Sequence, residues 1–282
     1  MTVSPRLAAF VLVPLVLVGC GPSSENPSPE DADNSHLIGH VHGLGINPAD
    51  GALYVAGHYG VFRIEDGTAE RVADRWQDTM AFTVDGPDTF LASGHPDLRE
   101  DLPPHLGLIE STDAGETWKH LSLQGEADFH ALEVVGDRIY GYDATSGRLM
   151  TTTDRTTWKT IATGPYVDLA AQPSRPDRVL ATSQDGTVFE VQLDGTVRPV
   201  AGAPELVMID STASGLLGGI TTSGEVYSAS AVTDSWKKAG QILGPPAALA
   251  VADDAWYVAT DEAILSSQDD GATWDVVLGA SG

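Results

Sequence analysis

The sequence predicts an all-β fold, a six-bladed β-propeller, and three observations carry that expectation. A phrase of short apolar strands separated by turns recurs six times along the chain. Its first strands begin near His42, Met80, His130, Asp168, Met208 and Ala247, at spacings of 38, 50, 38, 40 and 39 residues. Four strands in about 40 residues is the period of a propeller blade. The second strands, at 52–57, 89–93, 138–142, 178–182, 215–219 and 255–259, are β-branched or aromatic runs bounded by turn residues. A helical solenoid would need an apolar period of about 3.6 residues in each repeat, and none is present.

The elements before the propeller come first in the chain. Residues 1–6 carry one positive charge, Leu7 to Val18 form an apolar run, and Gly19-Cys20 follows. This is the order of a secretory signal, and the run is shorter than the roughly 20 residues of a membrane-spanning helix. Leu17-Val18-Gly19-Cys20 resembles the lipobox of bacterial lipoproteins. The resemblance implies cleavage of residues 1–19, lipid on the Cys20 thiol, and attachment to the outer side of a cytoplasmic membrane or in a periplasm. Cys20 is the sole cysteine, so it has no disulfide partner within the chain. Residues 20–36 are rich in Pro, Ser, Asn, Asp and Glu without apolar periodicity, which predicts a flexible tether. The propeller is expected over 37–282. A formal charge of −25 argues against a nucleic-acid partner, which would need clustered Lys and Arg.

Within the blades, the turns between third and fourth strands carry a motif. Ser111-Thr-Asp113-Ala-Gly115-Glu-Thr117-Trp118 and Ser267-Gln-Asp269-Asp-Gly271-Ala-Thr273-Trp274 both read S-x-D-x-G-x-T-W. The carboxylate can accept backbone N–H bonds, glycine supplies a positive φ, and tryptophan packs between blades. The motif resembles the Asp box of BNR-repeat proteins, a group that includes sialidases and many non-catalytic propellers. Eroded copies occur at 152–158 and 230–236, and blades 1 and 4 have plain Asp-Gly turns at Asp66-Gly67 and Asp194-Gly195. The boxes specify fold and leave activity open.

In a four-stranded blade, the start of the first strand and the loop joining second to third lie on one face. Five of the eight histidines fall there: His40 and His42 at the start of blade 1, His58 after its second strand, His95 after the second strand of blade 2, and His130 at the start of blade 3. Met80, Asp168 and Met208 occupy the register of His42 and His130, and Asp143 that of His58 and His95. The long loop 95–105 of blade 2 is on the same face, where long loops tend to carry function. Neutral imidazoles suit zinc or copper, and thioether sulfur favours copper. One reading is therefore a metal site of His40, His42, His58, His95 and His130, with Met80, Asp168 and Met208 as further ligands. His40-Val-His42 is expected to serve it only if the segment is irregular before the strand proper, which Gly39 permits. Other readings are a polar ligand or glycan beside Tyr59 and Trp76, and a protein-interaction scaffold without metal.

The sialidase resemblance implies a different chemistry, with a tyrosine nucleophile, a glutamate and three arginines that hold a carboxylate. Here Phe62-Arg63-Ile64 is followed by Glu65 and not by proline, and lies on a third strand. Tyr227 and Glu225 are also on a third strand, and the arginines are scattered. A glycosidase would instead need two carboxylates about 5–10 Å apart. Asp143 and Asp168 are the candidates, with Asp97, Glu100 and Asp101 near the rim.

Overall fold

The computed structural model describes residues 38–231 and 235–279, in six four-stranded antiparallel sheets. Cys20, the signal and the tether lie outside the described residues. The first strands are Val41–Ile46, Asp78–Gly86, Phe129–Val135, Tyr166–Ala170, Met208–Ser211 and Pro246–Val251. Each packs beside the first strands of the blades before and after it, and the sixth packs beside the first. The six therefore ring one axis, and the later strands of each blade step outward in chain order. The expected second strands are present within about two residues of their limits. That of blade 5 starts at Leu217, after Gly215, because Gly215 takes a φ of 93° in a turn closed by the Thr212 side chain.

Alternation along each strand divides its side chains between two interfaces. Leu53 and Val55 face blade 6, whereas Tyr54 and Ala56 face blade 2. The same division yields six apolar clusters, one between each pair of neighbouring blades. No strand is exchanged between the first and last blades among the described residues. Closure rests on the cluster that joins Val41, Leu44 and Val55 to Ala248, Ala259 and Leu278.

The two S-x-D-x-G-x-T-W turns have the same hydrogen bonds. Asp113 accepts from Thr117 N at 2.9 Å, Thr117 Oγ1 at 2.6 Å and Ser111 Oγ at 2.7 Å, and Gly115 N donates to Ser111 Oγ at 2.8 Å. Asp269 does the same with Thr273 and Ser267. The tryptophan that follows covers the interface with the preceding blade: Trp118 packs on the blade 1–2 cluster and Trp274 on the blade 5–6 cluster. Each turn thus joins hairpin closure to blade packing. Asp113→Ala and Asp269→Ala are each expected to lower the midpoint of urea unfolding, because the hairpin N–H and hydroxyl donors lose their acceptor. Urea denaturation tests this, and an unchanged midpoint would mean that the hairpin closes without its carboxylate.

Candidate functional site

A β-bulge aims one residue of most blades at the axis. In five of the six first strands, pairing with the second strand slips beside His42, Met80, His130, Asp168 or Ala247. In blade 5, Met208 begins a strand that pairs without a slip. A bulge bends the strand and turns the extra side chain away from the ladder. All six residues line one cavity of about 460 Å³ on the propeller axis. The register inferred from the repeat spacing therefore picks one channel residue per blade.

The histidines expected to form one site instead form two groups. In the first, His42 Nε2 lies 3.6 Å and His58 Nδ1 3.0 Å from Asp78 Oδ1, and the two imidazoles approach to 3.5 Å. His40 stacks on His42 with ring centroids 5.0 Å apart, and the segment that brings them together is irregular, with Gly39 at a φ of 71° and a slip in pairing between Val41 and Gly43. Burial first, and the neighbouring His58 and His40 next, lower the His42 pKa to about 3. His42 is thus neutral at physiological pH, the form that can ligate a metal. The second group is His95, His105 and Asp128, with His130 Nε2 3.1 Å from Asp128 Oδ2. In each group of three, the donor atoms lie within 4.8 Å of one another.

Backbone geometry sets these positions. Gly94 has a φ of 143°, and a Cβ there would lie 2.0 Å from the Asp78 carbonyl oxygen. The two strands therefore close tightly just where Asp78 and His95 pair in register. At Gly57, directly before His58, a Cβ would lie 2.8 Å from the His40 carbonyl oxygen.

Asp78, His105 and Asp128 are the participants that the sequence reading did not assign. Asp78 and Asp128 stand two residues before Met80 and His130, as His40 stands before His42, and that shared register is the signal that could have found them. A groove of about 700 Å³ is lined by His58 and Asp78 of the first group and by His95 of the second. Tyr59, Trp76 and Leu98 are exposed along it, and the Arg71 guanidinium covers one face of Trp76 at 3.4 Å.

The carboxylates named as glycosidase candidates are occupied by the fold. Asp143 is fully buried. It accepts from Asp128 N at 3.2 Å and Arg148 Nη2 at 2.9 Å, and it also bonds the Ser146 hydroxyl. Asp168 accepts from Leu169 N and, across the blade boundary, from Ile209 N, both at 2.9 Å. Glu133 and Asp210 make the corresponding ties to Ala171 N and Val251 N. Several arginines are likewise committed to nearby acids: Arg63 to Asp50 and Glu65, Arg75 to Glu100, and Arg99 to Asp74 and Asp97. Tyr227 Oη stands 3.4 Å from Glu225 on an outer strand.

These features define a six-bladed β-propeller with a rim of histidines and carboxylates. No family model and no curated protein matches the sequence. Solved structures share the architecture. A gluconolactonase from Xanthomonas campestris superposes with a TM-score of 0.62 at 15% identity, covering 79% of this chain and 83% of its own. Nidogen, from a nidogen–laminin complex, gives 0.61 at 13% identity over 79% of this chain and 91% of that one. YCF48 bound to a D1 peptide gives 0.52 at 18% identity, covering 85% and 82%. At these identities the likeness establishes the fold, and it spans enzymes and binding proteins alike.

Burial in the channel wall pushes the Asp168 pKa up to about 7, against the pull of its two N–H donors. Burial also raises Glu133 and Asp210, each beside another carboxylate. A carboxyl raised in the folded state favours folding at low pH. Its contribution is complete below about pH 4, the unfolded value, and is lost as pH rises through 7. Wild type is therefore expected to lose roughly 2–4 kcal/mol relative to Asp168→Asn between pH 4 and pH 8. Parallel stability curves for the two proteins would contradict this.

Proposed function

We propose that this chain is an extracytoplasmic binding module, anchored to the membrane through lipid on Cys20, that holds Zn²⁺ or Cu²⁺ at the channel mouth. The carrying observation is the convergence of His42 Nε2, His58 Nδ1 and the Asp78 carboxylate at the end of the axial cavity. Two imidazoles and one carboxylate suit either ion and leave coordination positions for a ligand. Met80 and Met208 line the same cavity and are the thioethers that would favour copper. The groove past Tyr59 and Trp76 leads to this group, so a protein or small polar partner would reach the metal there. The peptide seen on YCF48 and the laminin seen with nidogen support a binding role for such a fold.

The metal assignment is tested by equilibrium dialysis of the full chain in detergent against Zn²⁺ and Cu²⁺. His42→Ala and His58→Ala are each expected to weaken uptake at this group at least about tenfold. Uptake that ignores both substitutions would remove the assignment. The anchor is tested separately. Cys20→Ser is expected to move the protein from the membrane fraction to the soluble one, and an unchanged distribution would contradict lipidation.

A further inference from the structure

We infer that the chain carries a second metal site, in which His95, His105 and Asp128 hold a divalent transition ion that fastens the long blade-2 loop to blade 3. It rests on the reading of this rim as metal-binding, but on different residues. The three come from separate segments: His95 ends the second strand of blade 2, His105 closes the loop that follows, and Asp128 stands directly before the first strand of blade 3. One backbone bond, from Gly125 N to the His105 carbonyl oxygen at 2.8 Å, ties that loop end to the segment leading into blade 3, and an ion bound by all three would add a side-chain tie.

The state of the polar atoms is what points to an ion. His105 Nδ1 and Asp128 Oδ1 are buried and have no hydrogen-bond partner within the protein. Buried polar atoms are rarely left so, because each costs about 1–3 kcal/mol. The two residues do not satisfy each other, since His105 Nδ1 stands 3.8 Å from Asp128 Oδ2, beyond hydrogen-bond range. Two donors each about 2 Å from one ion sit roughly 3–4 Å apart, so this separation fits a shared ion.

The surrounding bonds orient the ligands. His95 Nδ1 lies 2.8 Å from the Pro104 carbonyl oxygen, which can only accept, so that nitrogen donates and, in the neutral ring, Nε2 is the atom with the free lone pair. A ring N–H given to a backbone carbonyl is the usual support of a metal-ligating histidine. Asp128, 6% exposed, is held from the other side by His130 at 3.1 Å. His130 is therefore a positioning residue for Asp128, in place of the direct ligand role expected from the sequence.

The consequence reaches the groove. The fastened loop carries Leu98, and Arg99 of the same loop bonds Asp74 at 3.0 Å beside Trp76, so the loop is one wall of the ligand groove. Metal at His95, His105 and Asp128 would fix that wall, while metal at His42, His58 and Asp78 would sit at the channel mouth.

The test uses the full chain in detergent, stripped with a chelator and titrated with Zn²⁺, for wild type, His42→Ala and His105→Gln. Two equivalents are expected for wild type and one for each variant. Zn²⁺ is also expected to slow tryptic cleavage after Arg99 at least about fivefold in wild type and His42→Ala, but not in His105→Gln. One equivalent lost in His42→Ala and kept in His105→Gln would overturn the second site and leave the first standing. One equivalent with the opposite pattern would support the second site and remove the first. Two equivalents retained in His105→Gln would overturn the inference, and Asp128→Asn supplies the same comparison should the loop variant fold poorly.

Discussion

Every blade has two apolar faces, because side chains alternate along its strands and both sets are apolar. Leu53 and Val55 point one way and Tyr54 and Ala56 the other, so no blade can be buried by a single neighbour. A closed ring satisfies all twelve faces at once, and six interblade clusters are the result. Closing the ring also brings six innermost strand edges to one axis, where backbone groups lack ladder partners. Glu133, Asp168 and Asp210 answer that need on one side by accepting N–H bonds from the next blade. On the other side Gly43 and Gly45 let blade 1 lie against Phe82 and Val84. The channel is consequently acidic along blades 3 to 5 and carries imidazoles at blades 1 and 3.

That asymmetry locates the chemistry. The carboxylates of blades 3 to 5 are engaged in holding the ring, which gives their burial and raised pKa values a structural cause. The histidines of blades 1 to 3 bond no backbone N–H of the next blade, and the one close link they make across a blade boundary is His58 Nδ1 to the Asp78 carboxylate at 3.0 Å. They stand on bulges, on the loop after Gly57 and at the ends of the long blade-2 loop, where side chains can be aimed without breaking a ladder. A rigid scaffold with its polar donors on one rim is the arrangement expected of a binding surface.

The fold was largely legible in the sequence because a repeat near forty residues reports its own architecture. The positions of His42, Met80, His130, Asp168 and Met208 in one register were sufficient to place them around one cavity. Grouping was not legible. Whether His95 joins His42 or His105 depends on how the loop from Pro96 to Pro104 folds back, and no local pattern encodes that path. Asp78 and Asp128 do not stand out in the sequence because acids are plentiful in this chain, although their offset from Met80 and His130 repeats that of His40 from His42. Asp143 and Asp168 looked available for catalysis, since sequence does not reveal that Arg148, Ser146 and the N–H groups of Asp128 and Ile209 already occupy them.

On the proposed reading, the rim histidines and carboxylates bind metal as two groups of three. Anomalous diffraction at the zinc edge, from crystals of the protein soaked in Zn²⁺, addresses it directly. Two peaks are expected, one bounded by His42, His58 and Asp78 and the other by His95, His105 and Asp128. Peaks only at surface acids, or none on this rim, would contradict it.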